Sequence, residues 1–79
     1  MLAKVLGIQK VSYVSKQNKQ VEGTSLHVCY PDDNVEGMAV DKIYISKSTN
    51  INNLPLVKLN AEIDLRYNKY GKIESIEIL

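Results

Sequence analysis

The chain is 79 residues long, 44% hydrophobic and 24% charged, with a formal net charge of +1. A chain of this length hides only about 60% of its unfolded surface, so residues 1–79 are expected to form a single domain around a small core. The composition excludes a disordered chain, no apolar run approaches the roughly 20 residues of a membrane-spanning helix, and the net charge by itself names no polyanionic partner.

In chain order, Val5–Val14 reads as the first strand. Val5, Val11 and Tyr13 share one parity and Leu6, Ile8 and Val14 the other. The mismatch near Gly7 predicts a bulge or sharp coil, a bend that lets small barrels close. Ser15–Gln20 has no apolar residue and reads as an exposed turn. Val21–Tyr30 runs back, with Leu26, Val28 and Tyr30 on one face, and Pro31-Asp32-Asp33-Asn34 stops it in a turn. Met38–Ile45 is a third strand, Ile43 and Ile45 facing one way and Met38, Val40 and Tyr44 the other. Ser46–Asn53, rich in Ser, Thr and Asn and followed by Pro55, reads as a connection with room for a short helix.

The most regular alternation runs from Val57 to Asn68. Val57, Leu59, Ala61, Ile63, Leu65 and Tyr67 interleave with Lys58, Asn60, Glu62, Asp64, Arg66 and Asn68. This period of two predicts one long, half-buried strand with Tyr67 in the core. Asn68–Lys72 then reads as a hairpin loop with Gly71 at positive φ, and Ile73–Leu79 as the return strand. Five strands without a long helix predict an all-β fold, a small five-stranded OB-fold-like barrel, with an SH3-like barrel as the alternative; an open sheet also fits the strand count but would leave an unmanaged edge.

Charge is segregated. Lys4, Lys10, Lys16 and Lys19 are the only formal charges of residues 1–20, and Glu22, Asp32, Asp33, Glu36 and Asp41 those of residues 21–41. Lys42, Lys47 and Lys58 follow, before a mixed final segment. A folded chain can thereby carry a basic face and an acidic edge.

No catalytic constellation is present. His27 and Cys29, two apart and so on one strand face, are the sole histidine and cysteine. Nucleophile pairs are normally assembled from different elements, so a half-buried thiol beside a strand histidine is the simpler reading. The pair lacks further metal ligands, and Asp32-Asp33-Asn34-Val35-Glu36 lacks the spaced oxygens and turn glycine of a calcium loop. Isolated glycines form no phosphate cradle. No enzymatic activity, metal or cofactor is expected. A lone cysteine fits a reducing, cytoplasmic setting, and Met1–Gly7, broken by Lys4 and Gly7, does not read as a signal peptide.

What remains is aromatic and basic. The chain has five tyrosines and no Phe or Trp. Tyr packs an apolar ring while keeping a wet hydroxyl, and binding a single nucleic-acid strand needs flat rings for bases and cations along the backbone. Tyr13, Tyr30, Tyr44 and Tyr70, with Lys10, Lys16, Lys19, Lys42 and Lys69, can supply both.

The order of these pieces resembles the small helix-destabilising, single-stranded-DNA-binding proteins of filamentous phages and similar proteins of bacterial mobile elements. The resemblance runs nearly end to end: the basic hairpin Ser15-Lys16-Gln17-Asn18-Lys19, Val28-Cys29-Tyr30 before an acidic turn, Val40-Asp41-Lys42-Ile43-Tyr44-Ile45, and Tyr70-Gly71 in the last hairpin. It departs from that pattern at Val21-Glu22, where the family has an aromatic residue, and in having Arg66 as its sole arginine. The resemblance implies a five-stranded OB-like barrel, a homodimer and cooperative coating of single-stranded DNA, with RNA as an alternative strand. It assigns phosphate contacts to Lys16, Lys19 and Lys42, a stacking role to Tyr30, and a reach toward the partner's groove to Tyr70. Leu26 and Val28 are expected along the path or in the core. The competing reading is a phage or mobile-element protein-interaction module that ignores nucleic acid and uses its acidic segment and an exposed edge.

Overall fold

Alternating apolar residues and β-branched content draw most of the chain into strands. The computed structural model describes residues 1–49 and 51–79 and contains β1 (Leu2–Val14), β2 (Gln20–Pro31), β3 (Met38–Ser46), β4 (Glu62–Tyr67) and β5 (Ile73–Ile78). All pairings are antiparallel, in the spatial order β3-β2-β1-β4-β5. β1 begins at Leu2 rather than Val5, because Leu2, Ala3 and Lys4 pair with Asp64, Ile63 and Glu62 of β4. The bulge expected near Gly7 is present: Val5 opposes Val28 and Gly7 opposes His27, leaving Leu6 as the extra residue.

The expected closed barrel is corrected to an open sheet. β3 and β5 are the two edges, and the described residues show no ladder between them. The β3–β4 connection occupies the β5 edge instead. The Asn53 side-chain amide donates to the Ile76 carbonyl at 2.7 Å, and Ile51 and Val57 of the same connection are buried in the core. That connection also contains the short helix for which the sequence left room, a 3-10 turn at Leu54–Leu56 around Pro55. Asn50, within the connection expected at Ser46–Asn53, lies outside the described residues.

The alternation from Val57 to Asn68 is corrected in the same region, since only Glu62–Tyr67 is strand. Asn60 takes a left-handed φ of 67°, and a turn closed by Ala61 N–H donating to the Lys58 carbonyl interrupts the extended backbone. Leu59 consequently faces solvent. Binary pattern alone does not distinguish a strand from a turn whose apolar residues happen to alternate. Tyr67 is also corrected: it ends β4 opposite Ile73, after a register shift that leaves Glu74 of β5 unpaired, and it is 42% exposed at the rim of the core.

One core forms on the concave side of the sheet. Val5, Leu26, Val28, Ile63 and Leu65 are almost wholly buried, with Ile43, Ile45 and Ile76 around them. Leu26 and Val28 thus belong to the core rather than to a ligand path. Beyond the last β2–β3 pair, Gly23 with Ser46, β1 and β2 continue alone as a two-stranded wing. Thirteen residues at about 3.3 Å each give β1 a length near the molecule's longest dimension of 42 Å.

Candidate nucleic-acid interface

The free edge of β3 borders an open trough. Along β3 it is lined from Asp41 to Ser46, and opposite by Tyr67, Asn68, Gly71, Lys72 and Ile73 of the last hairpin, enclosing about 580 Å³. Tyr44 also lines an adjoining hollow with Gln20, Val21, Glu22, Lys47 and Ser48. The two hollows share Tyr44 and Ser46, so a continuous surface leads from the β4–β5 hairpin to the root of the wing.

The β1–β2 and β4–β5 hairpin tips have the same construction. In Ser15–Lys19, the Ser15 hydroxyl accepts the N–H groups of Gln17 and Lys19 at 3.3 and 3.2 Å, and Asn18 is left-handed with φ 59°. In Asn68–Lys72, the Asn68 side-chain oxygen accepts the N–H groups of Tyr70 and Lys72 at 2.9 and 3.1 Å, and Gly71 is left-handed with φ 75°. The first residue closes each turn, the fourth absorbs the positive φ, and lysines fill the second and fifth positions: Lys16 and Lys19, Lys69 and Lys72. A Ser/Asn-Lys-x-Asn/Gly-Lys spacing repeated in two predicted turns is the signal that would have added Lys72 to the candidate residues. Tyr70 is 75% exposed at the second tip, with the Lys69 ammonium 5.2 Å from its ring centroid, a cation–π arrangement that leaves the other ring face open.

Tyr44 is held in place by its neighbours. Its hydroxyl donates to the Glu22 carbonyl at 3.0 Å, and its ring lies over Gly23. A Cβ at Gly23 would stand 2.6 Å from the Tyr44 hydroxyl and 2.5 Å from the Ile45 carbonyl oxygen, so glycine is required for this close approach. Lys47 pairs with Glu22 at 3.0 Å and ties the connection after β3 to the wing root.

The structure separates some of the residues expected to act together. Lys42 and Tyr44 lie on the outer side of β3 and line the trough. Lys16, Lys19, Lys69 and Tyr70 occupy the two tips. Lys10 pairs with Thr24, which pairs with Ile45, and so faces the core side, in a separate hollow with Ser12, Thr49 and Leu54. Tyr30 is half-buried against the core and does not line the trough. Tyr13 is exposed on the wing opposite Val21. Tyr67, assigned to the core by its parity, is instead a trough residue at the end of β4. Burial in the groove raises the Tyr67 phenol above its ordinary value, and the Asp41 carboxylate and Tyr30 raise it further.

His27 Nε2 lies 3.4 Å from Gln9 Oε1, and Cys29 is buried in the row Lys4–Cys29–Val40. No three His, Cys, Asp or Glu side chains converge as a metal site among the described residues, and no helix there is long and apolar enough to cross a membrane. The acidic turn is organised by Asp32, whose carboxylate accepts the Asn34 N–H at 2.8 Å. No family model, curated protein or solved structure matches the chain.

Proposed function

We propose that the chain is a sequence-tolerant single-stranded nucleic-acid-binding protein of the helix-destabilising kind, acting on DNA and without enzymatic chemistry. The observation that carries this reading is the trough along the β3 edge, lined by Tyr44 and Tyr67 and by the Asn68–Lys72 tip, whose build is repeated in the lysine-bearing Ser15–Lys19 tip of the wing. Lysine tips are suited to phosphates, and phenol rings offer faces on which bases stack, each stack contributing about 1–3 kcal/mol. The strand order also agrees with small five-stranded barrels that hold oligonucleotides against strands two and three, between the first and last hairpin loops. Lys16, Lys19, Lys42, Lys69 and Lys72 are the proposed backbone contacts, and Tyr44, Tyr67 and Tyr70 the stacking rings.

The same reading includes a homodimer. The convex side of the sheet exposes Leu2, Met38, Val40 and Leu79 around Lys4 and Glu62, which are opposed partners on β1 and β4. An apolar strip with one cation and one anion side by side is self-complementary: a two-fold axis sets each Lys4 against the other copy's Glu62.

Titration with oligo(dT) tests the reading. Tyrosine fluorescence should be quenched at low salt, and log affinity should fall linearly with log salt concentration. Reversing Lys16 and Lys19 to Glu should weaken binding and flatten that slope by about 0.7 for each phosphate no longer neutralised. Free protein should sediment as a dimer. Absence of any response to DNA or RNA rejects the reading, and a monomer that ignores nucleic acid assigns the apolar strip to a different protein.

A further inference from the structure

The trough contains one acid, and its position is not neutral for a polyanion. Asp41 follows Val40 on the free edge of β3 and shares the groove with Tyr67, close enough for its charge to act on that phenol. Its Oδ1 accepts the N–H of Lys42 at 2.7 Å, which fixes the side chain against its own strand. It forms no ion pair with any described residue. Asp41 opposes Val28 of the core side, whereas Lys42 opposes His27 on the outer side. A strand lying along this edge therefore meets an ammonium on one flank and a carboxylate on the other.

Phosphates repel the carboxylate and are drawn to Lys42 and Lys72, so the flank bearing Asp41 and Tyr67 is left to the bases. An ionised carboxylate only accepts hydrogen bonds. A base stacked on Tyr67 is favoured where it turns an exocyclic amino group toward Asp41 and disfavoured where it presents a carbonyl oxygen. We propose that Asp41 and Tyr67 form a subsite that selects amino-bearing bases, cytosine over uracil or thymine, within an otherwise sequence-tolerant groove. This rests on the single-stranded nucleic-acid reading above and adds a base preference to it.

Oligo(dC) and oligo(dU) of equal length test the effect, because their bases differ in the amino or carbonyl group at position four and in whether the adjacent N3 accepts or donates. Both are titrated into the full chain at low salt and slightly alkaline pH, with the anisotropy of a labelled oligonucleotide as the readout. Oligo(dC) is expected to bind at least roughly fivefold more tightly, the low end of discrimination by a base-edge hydrogen bond. In Asp41→Asn the amide both donates and accepts, and the two affinities should come within about twofold of each other. That variant also removes a negative charge and tightens both complexes, so the ratio is the quantity that decides. Equal affinities in the unaltered chain, or a ratio that Asp41→Asn does not move, overturn the subsite and leave the nucleic-acid reading standing. Failure of both oligonucleotides to bind overturns the two together.

Discussion

β1 and β2 run the length of the molecule, yet their two ends serve different purposes. At the lower end, Val5 and Val28 are opposed partners, both fully buried, with β4 on one side and β3 on the other. At the upper end, Tyr13 opposes Val21 and Val14 opposes Gln20 with no third strand beside them, and Tyr13 and Val14 are exposed. An isolated two-stranded ribbon is marginally stable by itself, so the wing persists because its lower half is packed. The contrast teaches that one continuous hairpin can be scaffold at its base and, under the proposed function, recognition surface at its tip, with Lys16 and Lys19 confined to the part that lacks a third strand.

Substitutions at the two ends should therefore differ most in their effect on folding. Leu26 is fully buried in a small core, and Leu26→Ala is expected to cost about 2–5 kcal/mol in chemical denaturation. Val14→Ala on the exposed wing should stay within about 0.5 kcal/mol. A Val14→Ala cost approaching that of Leu26→Ala would show that the wing is part of the cooperative core, and the division between scaffold and surface would vanish.

Gly23 sits where the two regions meet, and its replacement should have an intermediate effect. The added methyl of Gly23→Ala collides with both the Ile45 carbonyl oxygen and the Tyr44 ring, so β3 must shift as well as the side chain. Overpacking of this kind costs about 1–3 kcal/mol. Tyr44→Phe removes only the hydrogen bond to Glu22 and should cost less, about 0.5–1.5 kcal/mol. If Gly23→Ala is the milder of the two, the ring does not rest on that glycine.

How far the sequence discloses this arrangement depends on what each signal reports. Strands β1, β2 and β3 are legible because burial on one face and exposure on the other impose a period of two, and because Gly7 breaks parity where the chain bulges; β5 is legible from its β-branched content after the hairpin loop. The region before β4 misleads for the same reason in reverse: Val57 and Ala61 are packed inward and Leu59 is not, but all three keep the alternating parity while Asn60 turns the backbone. Lysines at hairpin tips are legible from turn chemistry. The trough is not, because it is built from the edge of β3 and a hairpin more than twenty residues further along, and only the tertiary fold brings Asp41 and Lys42 to Tyr67 and Lys72. Lys10 and Tyr30 are natural candidates by residue type, but strand register turns Lys10 to the core side and packs Tyr30 against the core.

The smallest effect probes that tertiary juxtaposition directly. Tyr67 is held above its ordinary pKa of 10.0 first by burial in the groove, then by Asp41 and Tyr30. The folded chain therefore holds this proton more tightly than the unfolded chain does. The associated stability is fully present below the unfolded value and disappears as pH rises through the higher folded value. With the ring 42% exposed, solvent screens the interaction and the effect on stability should be slight. The tyrosinate absorbance titration is the sharper measurement: one of the five phenols should ionise later than the ordinary value. Asp41→Asn should bring it partway back, since burial, the larger cause, remains. A Tyr67 whose ionisation ignores Asp41→Asn would place that carboxylate away from the ring, and the groove joining the β3 edge to the last hairpin would lose its physical basis.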